Sequence, residues 1–199
     1  MPKKKLPPPS PARKPRADAQ RNRERILEVA KEVFTRDGAA ASLDDIARQA
    51  GIGPGTLYRH FPTRDAIVAA VYRREVQQLS DAAVSLLAAL PPGEALHEWM
   101  RLFVDYIATK KVMASALSSI VGGLPELYAK SGELITEAVT LLVRHAREAG
   151  EIRADAVPSD VLRALVGFTY GNADPAWEAS ARRLIDLLMD GLRPSRPAP

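Results

Sequence analysis

The chain has 199 residues, 46% hydrophobic and 26% charged, which suits one soluble domain or two small ones and leaves no room for a large multidomain enzyme. No apolar run approaches the roughly 20 residues of a membrane helix, and the lack of cysteine excludes disulfides, thiol catalysis and thiolate metal sites. The net charge of +4 is unevenly spread, since residues 1–64 hold 14 Lys and Arg against 7 Asp and Glu and residues 65–199 hold 14 against 17, so a basic end of +7 precedes a body of −3; nucleic acid is the first partner this suggests and anionic membrane the second.

Residues 1–17 hold six prolines among lysines and arginines and almost nothing to bury, so they read as a disordered tail. It is either a solubilising leader or a flexible arm adding phosphate contacts. No apolar stretch follows the basic residues, so they do not read as a secretory signal. From Asp18 onward Ile26, Ala30, Val33 and Phe34 recur on one helical face, and Asp37-Gly38 ends the helix. Ser42-Leu43-Asp44-Asp45 has the form of a capping box and opens a short helix over residues 43–50. Gly51-Ile52-Gly53-Pro54-Gly55 is a turn, with Pro54 suited to the first position of a third helix that Pro62 cuts off. Thr63 caps a long fourth helix running to Pro91-Pro92-Gly93. Apolar helical stretches follow over 95–109, 112–121, 125–149, 159–171 and 175–192, with Asp174-Pro175 as the last cap. No alternating strand pattern occurs. The expected fold is all-α with about nine helices: a tail (1–17), an N-terminal three-helix unit (18–64), a connecting helix (65–90), a C-terminal helical body (91–193) and a short end (194–199).

Two short helices joined by a glycine turn make a helix-turn-helix arrangement, which presents its second helix to the major groove. Ala47 and Ala50 let the helices cross closely, Leu57 and Phe61 point inward, and Thr56, Tyr58, Arg59 and His60 lie on the other face. The same pattern also occurs in helical proteins that never touch DNA. The run from Ser42 to Phe61, including Ile46-Ala47, Ala50-Gly51, Gly55 and Leu57-Tyr58-Arg59-His60-Phe61 and followed by Arg64, resembles the DNA-binding domain of the TetR family of bacterial transcription regulators. Gly53 stands where that family often has a capping serine, and Arg64 where lysine is usual. The resemblance implies that Ser42, Tyr58, His60 and Arg64 contact phosphates. It leaves Pro54, Thr56 and Arg59 to read bases, with Gly55 allowing close approach and the Arg59 fork suited to guanine.

The C-terminal half resembles the SbtR-like regulatory domain of the same family, through Trp99 to Lys111, Ala149 to Asp155, Pro158 to Leu165, and Pro175 to Arg193. This implies an effector domain and a homodimer formed by the last two helices, for which Leu162, Leu165, Val166, Leu184, Leu187 and Leu188 supply apolar stripes. Those stripes equally suit the subunit's own core. An unidentified small-molecule effector is expected among Trp99, Phe103, Tyr106, Met113, Tyr128, Phe168 and Tyr170, with Asp105, Thr109 and Lys110 offering polar contacts; aromatic stripes of this kind also serve as core. No catalytic motif is present, no metal or cofactor is expected, and Glu94, His97 and Glu98 read as a solvated helix face. The partners implied are double-stranded operator DNA and a second copy of the chain, in the cytoplasm and away from membrane. The alternative is a non-enzymatic helical interaction protein whose basic end binds polyanions without sequence preference.

Overall fold

The computed structural model describes residues 14–118, 120, 123–170 and 176–194. The tail before Lys14, the Asp174-Pro175 cap and the last five residues lie outside these. Among the described residues the chain is all-α: α1 (Lys14–Asp37), a 3₁₀ turn (Gly38–Ala40), α2 (Leu43–Gln49), α3 (Pro54–His60), α4 (Arg64–Ala89), α5 (Pro92–Val112), α6 (Ala114–Ser118), α7 (Leu124–Glu148), α8 (Pro158–Tyr170) and α9 (Trp177–Leu192). The first helix starts four residues earlier than its apolar periodicity predicts. None of the described helices is long and apolar enough to cross a membrane.

Local chemistry sets most of these ends. Gly38 takes φ +56° after α1, a conformation that disfavours any other residue. The Ser42 hydroxyl accepts from Asp45 N at 3.4 Å, Thr63 Oγ1 accepts from Ala66 N at 3.1 Å, and Pro54 occupies the first turn of α3. Only half of the expected capping box forms. The Asp45 carboxylate accepts instead from Arg48 and Gln49 on its own helix and from Arg36 of α1 at 3.0 Å, tying the end of α1 to the start of α2. The Arg48 hydrogen bond, helped by Arg36, holds the Asp45 carboxyl below its usual pKa, and Arg36 does the same for Asp37.

The three-helix head closes on Ile26, Ala30, Val33, Phe34, Ile46, Ala47, Ala50, Leu57 and Phe61, all buried. The small Ala47 and Ala50 admit the crossing of α2 and α3, as their size suggests. At Gly51 φ is +65°, a left-handed conformation that favours glycine in the turn between the two helices. Helix α4 runs from the head into the body, about 39 Å at 1.5 Å per residue over its 26 residues. It packs on α1 at one end and on α5 and α7 along the rest. Helix α8 lies on α7, and α9 on α5 and α8.

Two ion pairs lock α1 to α4: Lys31 Nζ to Glu75 at 2.6 Å and Arg74 to Glu28 at 2.5 Å. Glu75 is only 9% exposed, so its charge depends on Lys31, whose side chain remains 35% exposed. Lys31→Ala is expected to destabilise the chain by about 1–2 kcal/mol in urea unfolding, below the cost of breaking a fully buried pair because solvent reaches the lysine; Glu75→Gln should cost roughly half as much. The lowered Asp37 and Asp45 carboxyls predict a pH effect. Their contribution is fully present above the unfolded carboxyl pKa of about 4 and is lost as pH falls through the folded values, so melting temperatures should drop below about pH 4. Asp45→Asn should flatten that drop.

Candidate nucleic-acid interface and effector region

Helix α3 divides into an inner and an outer face. Leu57 is fully buried and Phe61, at the C-cap, is covered by the Arg23 guanidinium 4.7 Å from its ring. Pro54, Gly55, Tyr58 and Arg59 are exposed, and Thr56 and His60 partly so. Among the described residues the side chains of Thr56, Tyr58, Arg59 and His60 make no hydrogen bond or ion pair. Nothing among the described residues therefore uses their polar groups. Gly55 is informative: a Cβ there would meet nothing within 4 Å, so its own fold does not require glycine. The open space lies on the outer surface, where an approaching partner would meet bare backbone. Ser42 is exposed beside this face, with its hydroxyl already engaged as a cap.

Arg64 is engaged within the chain. Its guanidinium donates to the carbonyls of Ala41 and, at 3.2 Å, Gly38, and lies 5.2 Å from the Phe34 ring centre. The Gly38 carbonyl also accepts from Ala41 N within the 3₁₀ turn, so Arg64 reinforces the corner between α1 and α2, a structural role that the chain pattern did not reveal.

The aromatic residues expected to line a pocket fall into two groups. Trp99 is fully buried with Nε1 donating to the Leu79 carbonyl at 2.8 Å, and Phe103 and Met113 are buried in the same core. Phe168 packs partly buried against that core. Tyr106 is buried with its hydroxyl 2.9 Å from that of Tyr72 on α4. Tyr128 meets the Tyr72 ring edge-on at 5.6 Å, and Tyr128 and Tyr170 both reach the surface. Burial holds the Tyr106 phenol well above its ordinary pKa, with Tyr72 adding to it, and burial also raises Tyr128. These phenols are neutral donors at physiological pH. Tyr72 went unremarked in the sequence because its helical position places it merely inside the stripe of α4; only the packing of α5 and α7 shows what it meets.

A cleft of about 520 Å³ opens between α4 and α7, floored by Val76, Leu127 and Leu134 with Arg73 and Lys130 on its rim. None of the expected residues lines it. His97 is drawn across to α9, where Nε2 lies 2.8 Å from Asp186, rather than sharing a group with Glu94 and Glu98. Of the residues expected at a dimer contact, Leu165 is fully buried within the subunit and is corrected to core. Val166 and Leu187 are 40% and 66% exposed, and Leu162, Leu184 and Leu188 are half-buried.

Comparison with known proteins agrees with this architecture at both ends of the chain. Residues 26–71 match the family described as bacterial regulatory proteins, tetR family, and residues 91–194 match the SbtR-like transcriptional regulator C-terminal domain. The HTH-type transcriptional regulator UidR of Escherichia coli is 32% identical over 196 residues, spanning 88% of this chain and 94% of that one. The crystal structure of the TetR transcriptional regulator SCO0520 from Streptomyces coelicolor is 48% identical, with a TM-score of 0.79 over 87% of this chain and 99% of that one. A TetR regulatory protein from Mycobacterium vanbaalenii is 37% identical, with a TM-score of 0.76 over 89% and 98% of the two chains. A helix-turn-helix with an outward face free of internal partners, carried on a helical body that such relatives share over nearly their whole length, places this chain in the TetR family of bacterial transcriptional regulators.

Proposed function

We propose that the protein is a cytoplasmic, ligand-responsive repressor that binds a pseudo-palindromic operator as a homodimer. The observation that carries the reading is the outer face of α3, where Thr56, Tyr58, Arg59 and His60 are solvent-accessible and unused by the fold. In this reading residues 18–64 bind DNA, residues 65–90 connect and residues 91–193 regulate and dimerise. Arg59, with Pro54 and Thr56, reads bases, and Ser42, Tyr58, His60 and Arg64 position the backbone. Gly55 keeps the start of the helix bare so that its N–H groups approach the duplex.

One seven-residue helix reads few base pairs, and two-fold pairing doubles the site. The exposed Val166 and Leu187, with half-buried Leu162, Leu184 and Leu188, supply an apolar surface on adjacent α8 and α9 for a second copy. Effector binding in the body favours a state in which α4 carries the two recognition helices out of register with successive major grooves. The effector acts only through its differential affinity for the two states.

Selection from random duplexes at about 150 mM salt, where nonspecific attraction is weakened, should enrich a two-fold-related motif. Binding without any motif, lost as salt rises, would favour a nonspecific polyanion-binding protein instead. On the enriched operator, Arg59→Ala is expected to cost about 1–3 kcal/mol and relax base choice at one position in each half-site, whereas equal losses on operator and random DNA would rule out base reading. Gly55→Ala should fold at least as stably as the parent, because alanine favours the helix by about 0.8–1 kcal/mol, yet bind DNA at least about tenfold more weakly. Leu187→Glu should yield monomers in sedimentation and lose cooperative operator binding.

A further inference from the structure

Several positive charges of the chain meet carboxylates: Lys31 pairs with Glu75, Arg182 of α9 with Asp105 of α5, and Arg101 approaches Asp186 at 3.9 Å. Lys110 and Lys111 make no ion pair among the described residues, and what sets them apart from the other cations of the body is that aromatic rings face them. Lys110 Nζ lies 4.6 Å from the Tyr128 ring centre and 5.9 Å from those of Tyr72 and Tyr170. Lys111 Nζ lies 3.6 Å from the Trp177 ring and donates to the Thr169 carbonyl at 2.5 Å. Helices α4, α5, α7, α8 and α9 thus converge on two adjacent cations. A ring face offers an ammonium its quadrupole but no net charge, so among the described residues both charges lack a carboxylate partner where solvent is partly excluded.

The hydroxyls nearby are short of an acceptor. Tyr72 and Tyr106 are buried with their oxygens 2.9 Å apart; one donates to the other, and the accepting phenol keeps a proton for which the described contacts provide no acceptor. Two ammonium groups and a spare phenol proton call for an oxygen acceptor carrying negative charge. The surrounding ring faces call for a flat apolar body attached to it. Tyr128 and Tyr170, 36% and 50% exposed, put this cluster within reach of solvent.

We propose that the effector is a small aryl carboxylate, its carboxylate held by Lys110 and the Tyr72–Tyr106 hydroxyl pair and its ring stacked against Tyr128 and Tyr170; this rests on the regulator reading above and names its ligand class. Lys111 adds to the local positive potential. The ligand reaches the DNA-binding head through Tyr72, which lies on α4 three residues before Glu75, the partner of Lys31 on α1. A carboxylate drawing on the Tyr72 hydroxyl acts on the same helical turn that clamps the head.

Isothermal titration calorimetry of the full chain at about pH 7.5 tests this with three probes of one shape: 2-naphthoate, the neutral 2-naphthalenemethanol and the cationic 2-naphthylmethylammonium. Naphthoate is expected to bind saturably and at least about tenfold more tightly than the alcohol, with no binding of the ammonium. Lys110→Met should weaken naphthoate about tenfold while leaving the alcohol within about twofold, and Lys110→Arg should retain carboxylate binding. Naphthoate should also lower the affinity of the parent protein for its selected operator. Equal affinity for the three probes, no saturable heat with naphthoate, or naphthoate binding unchanged by Lys110→Met would overturn the proposal. So would naphthoate binding that leaves operator affinity unchanged. Should Lys110→Met fail to melt cooperatively, the comparison of probes on the parent chain and Lys110→Arg decides it. Because the calorimetry uses no DNA, failure to select any duplex would overturn the regulator reading while the ligand result stands apart.

Discussion

The buried stripe of α4 is the constraint on which the rest of the molecule depends. Ile67, Val68 and Val71 pack toward the head, and Val76, Leu79 and Ala83 lie within the body, so one helix carries a single continuous hydrophobic core from head to body. A helix shared in this way cannot shift in the body without carrying the head, because close-packed interiors transmit displacement rather than absorb it. The Lys31–Glu75 and Arg74–Glu28 pairs make the coupling specific by fixing α1 to the same stretch of α4. Tyr72 lies between these clamps and the cations of α5.

The head shows how chemistry is divided between fold and partner. Each polar group that the fold needs is engaged: Ser42 and Thr63 cap helices, Asp45 joins α1 to α2, and Arg64 gathers backbone carbonyls at the end of α1. Among the described residues the outward row on α3 is left without such a role. The separation follows from helical geometry, since a seven-residue helix that buries Leu57 must turn its remaining residues away from the core.

The sequence revealed the head more fully than the body. Ser42, Gly51, Pro54 and Thr63 act within a few residues of themselves, so their meaning is written locally; the same holds for the helix breaks at Gly38, Pro62 and Pro91. Lys31 and Glu75 are 44 residues apart, and Tyr72 and Tyr106 are 34 apart. No periodicity within one helix announces such partners. Arg64 illustrates the limit sharply, because an arginine opening a helix in a basic domain suits a phosphate, and only the tertiary structure shows Ala41 and Gly38 presenting carbonyls to it.

The apolar residues of the body follow the same logic. By itself the sequence determined an all-α chain, its helix breaks and the helix-turn-helix with its outward residues, because caps, turns and amphipathic period are short-range properties of the backbone. The tertiary structure decided which apolar stripes are core and which are left on the surface. Leu165 and Leu187 look alike in sequence, yet one is sealed inside the subunit and the other is two-thirds exposed. Likewise it decided that Trp99, Phe103 and Met113 fill the core while Tyr72, Tyr128 and Tyr170 gather around Lys110 and Tyr106 joins them through Tyr72. Burial and cation–ring contact depend on which helices meet and at what rotation, and that is fixed only when all of them pack at once.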